Sequence, residues 1–204
     1  MASNDHHLHG AFDEKFLHEE IPFYLKRFVE VTRRQSSTPR SPGALSYTDT
    51  FNRMFLSCAQ NKQWKQAWSL FKKMVKVETP GNTLTINVLI KILENIGHWE
   101  EALSLLDNVR SMGLKSDLDT FNNCLSVCLK RGQWNLAEGL FERMKLEHLV
   151  PGVLTYNILI NALEKGGQWE GALRMYIRMV AAGHSPDATT YNILINACRK
   201  GEQI

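Results

Sequence analysis

The sequence predicts an all-α fold built from stacked antiparallel helix-turn-helix repeats. Three observations carry that expectation. Residues recur in register at a spacing of 35. Within each period the apolar positions follow helical spacing, and glycine or proline returns where a helix must stop.

The repeat is read from whole columns of residues. Trp64, Trp99, Trp134 and Trp169 are each 35 residues apart, and Ala67, Ala102, Ala137 and Ala172 follow three residues later in every copy. Asn52, Asn87, Asn122, Asn157 and Asn192 keep the same period. Each is preceded two residues earlier by threonine: Thr50, Thr85, Thr120, Thr155 and Thr190. Chance does not supply three such columns in register. The units are 48–82, 83–117, 118–152 and 153–187, with a partial unit at 188–204.

Residues 1–47 stand outside the repeat as an N-terminal extension. The opening MASNDHHLHG is polar and expected to be disordered. His6, His7 and His9 are read as a flexible tract in preference to a metal site. A helical stretch at about 12–33, interrupted by Pro22, offers Phe12, Phe16, Leu17, Phe23 and Phe28 to cover the first repeat, because a solenoid needs its end capped. Residues 34–46 form a Ser/Pro/Arg-rich linker.

Each full unit then reads as two helices. Tyr156, Leu159, Ile160 and Leu163 lie at i, i+3, i+4 and i+7, one face of a first helix. Phe51, Met54, Phe55 and Cys58 occupy these places in the first unit, and Phe121, Cys124, Leu125 and Cys128 in the third. Thr155 and its equivalents precede the stripe, where a hydroxyl can cap the first turn. Gly97, Gly132 and Gly167 end the first helix in a left-handed C-cap. The second stripe runs Trp169, Ala172, Tyr176 and Met179, matched by Trp64, Ala67, Phe71 and Met74. The alanine column marks a close helix crossing. Gly113 and Gly183 stop the second helix, and Pro151 and Pro186 prevent its continuation.

Composition narrows the function classes. The chain is 44% hydrophobic and 22% charged, and its apolar runs fall far short of the roughly 20 residues that span a bilayer, so no membrane partner is expected. A net charge of +3 permits a polyanionic partner without demanding one. Among the cysteines, Cys124 and Cys128 sit one helical turn apart, as half a metal site would. Membership of the apolar stripe accounts for them and for the spacing of 70 between Cys58, Cys128 and Cys198. There is no CxxC pair and no zinc-finger spacing, so neither metal nor cofactor is expected, and the cysteines should be reduced. The asparagine column is harder to explain by packing. Asn157 lies about 100° from Tyr156, off the core stripe, and asparagine is a middling helix former. Its amide suits the edge of an unpaired base, although it can also bond its own backbone near a helix start.

The runs VLTYNILINALEKGGQWEGALRMYIRMVAAGHSPD (153–187) and ATTYNILINACRKGEQI (188–204) resemble pentatricopeptide repeats, in the TYN-x-L-I opening, the Ala-Leu of the second helix and the closing Pro-Asp. The resemblance covers residues 48–204. The rival tetratricopeptide repeat has a period of 34 and no fixed asparagine in the first turn. The resemblance implies a right-handed superhelical α-solenoid that binds single-stranded RNA at about one base per repeat. In that family this Asn and the last residue of the same unit select the base. Asn52 with Asn82 then resembles a cytosine reader, and Asn87 with Asp117 and Asn157 with Asp187 resemble uridine readers. Asn122 is paired with Gly152, which has no side chain, leaving a pyrimidine lean. Asn192 lacks its partner because the chain stops at Ile204. With the family's parallel polarity the expected target is 5′-C-U-Y-U-3′. Leu84, Leu154 and Thr189 occupy the family's base-sandwiching positions. Asp49 and Asp119 replace them in the first and third units, where a carboxylate stacks poorly. Lys130, Lys165 and Lys200 end their first helices opposite the core, where they can approach phosphates or form a solvated face.

No enzyme is expected. The deaminase signature H-x-E with P-C-x-x-C is absent, as is a clustered Asp set for two metals. The remaining alternative is a scaffold that binds proteins or peptides. Four bases are few for specificity, so a longer array, a homodimer or another RNA-processing protein is implied. The family works in mitochondria or chloroplasts, yet Asp5, Asp13, Glu14, Glu19, Glu20 and Glu30 do not suit a transit peptide. Targeting is therefore unusual, or Met1 is not the natural start. The abrupt end inside the fifth unit points to a fragment or an incomplete gene model.

Overall fold

A computed structural model of the chain describes residues 19–36 and 42–201. The histidine tract, Phe12, Phe16 and Leu17 lie outside them, as do residues 202–204. Among the described residues every regular element is helical. A helix α1 (Ile21–Ser36) precedes the repeats. The first helices of successive units are α2 (Pro42–Gln60), α4 (Thr83–Ile96), α6 (Leu118–Arg131), α8 (Val153–Lys165) and α10 (Ala188–Gly201). The second helices are α3 (Trp64–Lys76), α5 (Trp99–Asn108, continued by a 3-10 turn Arg110–Met112), α7 (Trp134–Leu146) and α9 (Trp169–Ala181). The chain divides into two compact units, Met1–Ser116 and Asp117–Ile204.

From the second repeat on, the start of the first helix differs from expectation. Its N-cap is the last residue of the preceding repeat, and the threonine stands three places further on. Asn82 Oδ1 accepts the Thr85 N–H at 3.0 Å, and Thr85 Oγ1 accepts the Asn82 N–H at 3.1 Å. Asp117 with Thr120 and Asp187 with Thr190 close the same reciprocal box. Threonine thus serves as the returning half of a capping box, because Asn and Asp in extended backbone reach the third N–H better. Gly152 keeps only the backbone half, its N–H donating to Thr155 Oγ1 at 3.3 Å.

Helix ends follow the register. Gly97, Gly132 and Gly167 have φ of 92°, 67° and 72°, and Lys62 takes the same left-handed turn at 56° in the first repeat. The second helices end alike at Gly113 and Gly183, and at Glu78 (50°) and His148 (59°).

In the Met1–Ser116 unit, Phe55, Ala67, Phe71 and Met74 of the first repeat meet Ile86, Leu89 and Leu93 of the second in the core. In the Asp117–Ile204 unit, Phe121, Cys124, Leu125 and Cys128 are joined by Tyr156, Leu159, Ile160 and Leu163. The four column alanines are fully buried. Met54 departs from its stripe and is exposed, since the first helix of the array has a neighbouring repeat on one side only. The Trp134 ring lies flush on Gly166 and the Trp169 ring on Gly201, so each tryptophan covers the end of the next repeat's first helix.

Helix α1 packs on α3 and on the 3-10 turn of the second repeat. Pro22 does not interrupt it: it sits in the first turn, where its missing N–H is harmless. Ile21, Leu25, Phe28 and Val31 are buried, while Phe23 points outward. Phe28 meets the Phe71 ring edge-on at 5.3 Å and lies on Gly81, whose N–H donates to Thr32 Oγ1 at 3.1 Å. Helical backbone extends through Ser36 and begins again at Pro42, inside the stretch read as a linker.

Candidate nucleic-acid interface

Asn87, Asn122, Asn157 and Asn192 fall in the second turn of their first helices, and Asn52 further along the longer α2. Asn52 and Asn157 reach the capping box of the next repeat, and Asn122 its threonine. Asn52, Asn87, Asn122 and Asn157 are between 1% and 9% exposed, so these amides are not the free surface groups that their position off the stripe suggested. Asn192 on α10 is exposed.

Hydrogen bonds explain the burial. Asn52 Nδ2 donates to Asn82 Oδ1 at 2.9 Å, and its own Oδ1 accepts the Thr85 hydroxyl at 2.8 Å. Asn157 repeats this arrangement. Its Nδ2 lies 3.2 Å from both carboxylate oxygens of Asp187, and its Oδ1 accepts the Thr190 hydroxyl at 2.6 Å. In the third repeat the Thr155 hydroxyl again donates to Asn122 Oδ1, at 2.8 Å, although Gly152 contributes no side chain. Neither a free surface amide nor a self-bonded one describes the column. Asn52, Asn122 and Asn157 bond to the threonine 33 residues on, and Asn52 and Asn157 also to the last residue of their own repeat.

This leaves defined atoms unspent. Asn82 Oδ1 accepts from Asn52 Nδ2 and Thr85 N and shares the one Thr85 hydroxyl proton with the nearer Asn52 Oδ1, so what Asn82 still offers is its amino group. Asp187 Oδ1 accepts the Thr190 N–H at 2.8 Å and lies 2.9 Å from the Thr190 hydroxyl, whose one proton it shares with the nearer Asn157 Oδ1, leaving Oδ2 as an acceptor beside Asn157. The Thr190 backbone N–H, helped by the Thr190 hydroxyl, holds the Asp187 carboxyl below the usual carboxylate range, so it is charged at neutral pH. Asn52 and Asn157 each keep one amide hydrogen. Asp117 caps α6 and Asn87 is buried on α4.

The flanking positions are accessible. Leu84 is 41% and Leu154 61% exposed, and Thr189, Asp49 and Asp119 are exposed as well. Lys130, Lys165 and Lys200 all stand out at the ends of their helices. Lys200 Nζ is 2.6 Å from Glu164 Oε1, an ion pair that sequence reasoning did not find. It also missed His184, whose ring nitrogen is 2.9 Å from the Pro151 carbonyl oxygen and whose ring lies 5.7 Å from the Tyr156 ring at a tilt of 54°. Among the described residues no group of three His, Cys, Asp or Glu could hold a metal, and no helix is long and apolar enough to cross a membrane.

Helix pairs at a fixed interval, with a polar column shared between neighbouring pairs, define a helical-repeat protein of the α-solenoid class. The model of the PPR repeat family matches residues 48–95, 117–165 and 151–200, and a PPR repeat model matches 84–114. The chain belongs to the pentatricopeptide (PPR) repeat family. Among solved structures it is similar to the pentatricopeptide repeat protein PPR10 from maize, at 21% identity and TM-score 0.65 over 76% of this chain. PPR10 in complex with an 18-nt psaJ RNA element is 25% identical, with TM-score 0.64 over 89% of this chain. The chain spans about a quarter of those proteins, 23% and 27% of their lengths. The PPR domain of Arabidopsis thaliana protein-only RNase P 1, in complex with tRNA, shares the fold at 13% identity and TM-score 0.65, over 76% of this chain and 86% of that one. No curated protein matches the chain.

Proposed function

We propose that the chain binds single-stranded RNA along its column of first-helix asparagines, about one base per repeat, without chemistry of its own. The observation that carries this reading is the pair formed by Asn157 and Asp187. Together they offer a remaining amide hydrogen and a remaining carboxylate oxygen, side by side. Uracil presents the complement, an O2 acceptor beside an N3–H donor. Asn52 with Asn82 offers two donors, which suits the O2 and N3 acceptors of cytosine. Asn122 with Gly152 offers the amide donor alone, which suits the O2 common to both pyrimidines.

By family analogy Asn87 and Asp117 read uridine, giving 5′-C-U-Y-U-3′. The likeness to PPR10, crystallised with an RNA element, supports the ligand class. Leu84, Leu154 and Thr189 would wedge between bases, and Lys130 and Lys165 would approach phosphates. Lys200 is weakened for that task by Glu164. Four bases specify little, so a second copy, a longer array or another RNA-processing protein would complete the site. The setting that family membership suggests is RNA processing, stability or translation in a mitochondrion or chloroplast.

Fluorescence anisotropy with labelled single-stranded RNA tests this. A 5′-C-U-U-U-3′ site should bind about tenfold or more tightly than its all-purine counterpart, given 1–3 kcal/mol for each good base contact. Equal binding of the two would reject the base assignment. Failure to bind either RNA would favour a protein- or peptide-binding scaffold.

A further inference from the structure

The geometry points to Thr85, Thr155 and Thr190, each near the start of its repeat, as positioning residues for the repeat before: the hydroxyl holds the asparagine amide with the oxygen inward and the amino group toward the base. This rests on the base-reading role proposed above. Three copies carry it. Thr85 donates to Asn52 Oδ1, Thr155 to Asn122 Oδ1 and Thr190 to Asn157 Oδ1, at 2.8, 2.8 and 2.6 Å. In the first and fourth repeats a second acceptor lies within reach of the one hydroxyl proton, Asn82 Oδ1 at 3.0 Å and Asp187 Oδ1 at 2.9 Å, but the asparagine oxygen is the nearer. In the third repeat Asn122 Oδ1 has no such rival among the described residues.

An asparagine amide turned by 180° exchanges a donor for an acceptor. With the amino group outward it meets the pyrimidine O2. With the oxygen outward it would accept from the amino group that guanine carries near the same place. The threonine hydroxyl, fully buried in all three cases, gives its proton to an oxygen and so favours one of the two states. In the fourth repeat Asp187 enforces the same state, because it accepts from Asn157 Nδ2. Asn82 does so in the first. Gly152 has no side chain to add, so in the third repeat Thr155 is, among the described residues, the one side chain that bonds to the Asn122 amide. Discrimination at the third base should therefore depend on a residue of the fourth repeat.

Thr155→Val removes the hydroxyl and keeps the shape, and Thr155→Ser restores the hydroxyl. Both would be titrated against labelled ten-nucleotide RNAs containing 5′-C-U-U-U-3′ or 5′-C-U-G-U-3′. The wild-type protein and Thr155→Ser should prefer U at the third base by about three- to tenfold, the worth of one hydrogen bond. Thr155→Val should bring the two within about twofold of each other by this same estimate. Loss of packing alone would weaken both RNAs together. Thr190→Val, titrated with 5′-C-U-U-U-3′ and 5′-C-U-U-G-3′ RNAs, should keep its preference for U over G at the fourth base, since Asp187 still holds Asn157. An equal loss in both valine variants would overturn the assignment.

A wild-type preference that survives in Thr155→Val would overturn the positioning role while leaving the base reading intact. A wild-type protein with no pyrimidine preference at either position would overturn the base reading itself, and this proposal with it. The unaltered protein supplies a check that needs no folded variant. By NMR the Thr155 hydroxyl proton should be visible and protected from exchange, and rapid exchange with water would overturn the bond.

Discussion

At the residue scale, backbone conformation decides more than side-chain type. Lys62, Glu78 and His148 occupy left-handed turns that their counterparts in other repeats give to glycine. Such a conformation costs an L-residue about 1–2 kcal/mol, and glycine's extra unfolded-state entropy returns part of any gain. His148→Gly should therefore stabilise the protein by about 0.5–1 kcal/mol in a urea melt. Gly166→Ala should do the opposite. Its methyl would intrude on the Trp134 ring, at a cost of about 1–3 kcal/mol by the same measurement.

The cysteines give a further residue-scale test. Cys124 and Cys128 are buried and Cys58 and Cys198 only half-buried; burial pushes the Cys128 thiol up to about 11, against a lowering backbone hydrogen bond. At pH 8 iodoacetamide should label Cys58 and Cys198 in the native state, and Cys124 and Cys128 only after unfolding. The sign of the linkage follows. The unfolded thiol ionises at the lower pH, so above about pH 9 the Cys128 contribution erodes stability. The stripe that makes Cys124 and Cys128 core was legible, because period and helical spacing suffice for it; that Cys58 and Cys198 are only half-buried depends on their places in the end repeats. The burial of Asn52 and Asn157 was not legible, because their partners lie 30 and 33 residues away. Spacing along one helix says nothing of such distances.

At the element scale, the helix starts respond to pH. The Asp187 carboxyl is held down chiefly by the Thr190 N–H, so its contribution to capping α10 is present above the pKa of the unfolded carboxyl. It fades as pH falls through the lower, folded value. For α6, Asp117→Ala should cost about 1 kcal/mol, the usual worth of a side-chain cap, in a denaturant melt. Helix α1 shows what the sequence could and could not convey. Its existence and the role of Phe28 were readable from the run of aromatics. Its seat on Gly81 was not, since that glycine differs from others only in what lies above it. Phe28→Ala should lower stability by about 3–5 kcal/mol, read as a fall in the midpoint of unfolding.

For the whole molecule, nearest-neighbour construction makes stability uneven. In α8 eight residues are buried, from Thr155 to Glu164, whereas α10 buries only Thr190, Leu194 and Ala197. Tyr191 and Ile195, counterparts of the buried Tyr156 and Ile160, are exposed. Hydrogen exchange should accordingly release the amides of α10 well before those of α8. Uniform protection across both helices would contradict nearest-neighbour stacking as its basis. The repeat and its helix pairs were open to sequence reading because each unit states the same pattern again.

The helix caps limit what a repeat can say. The residues at 82, 117, 152 and 187 open the next helix, and a helix opening tolerates few residue types cheaply: Asn, Asp, Ser, Thr and Gly. Any message carried at those sites is written in that short alphabet. A designer who wished to write an arginine or a glutamine there would be altering punctuation as well as spelling.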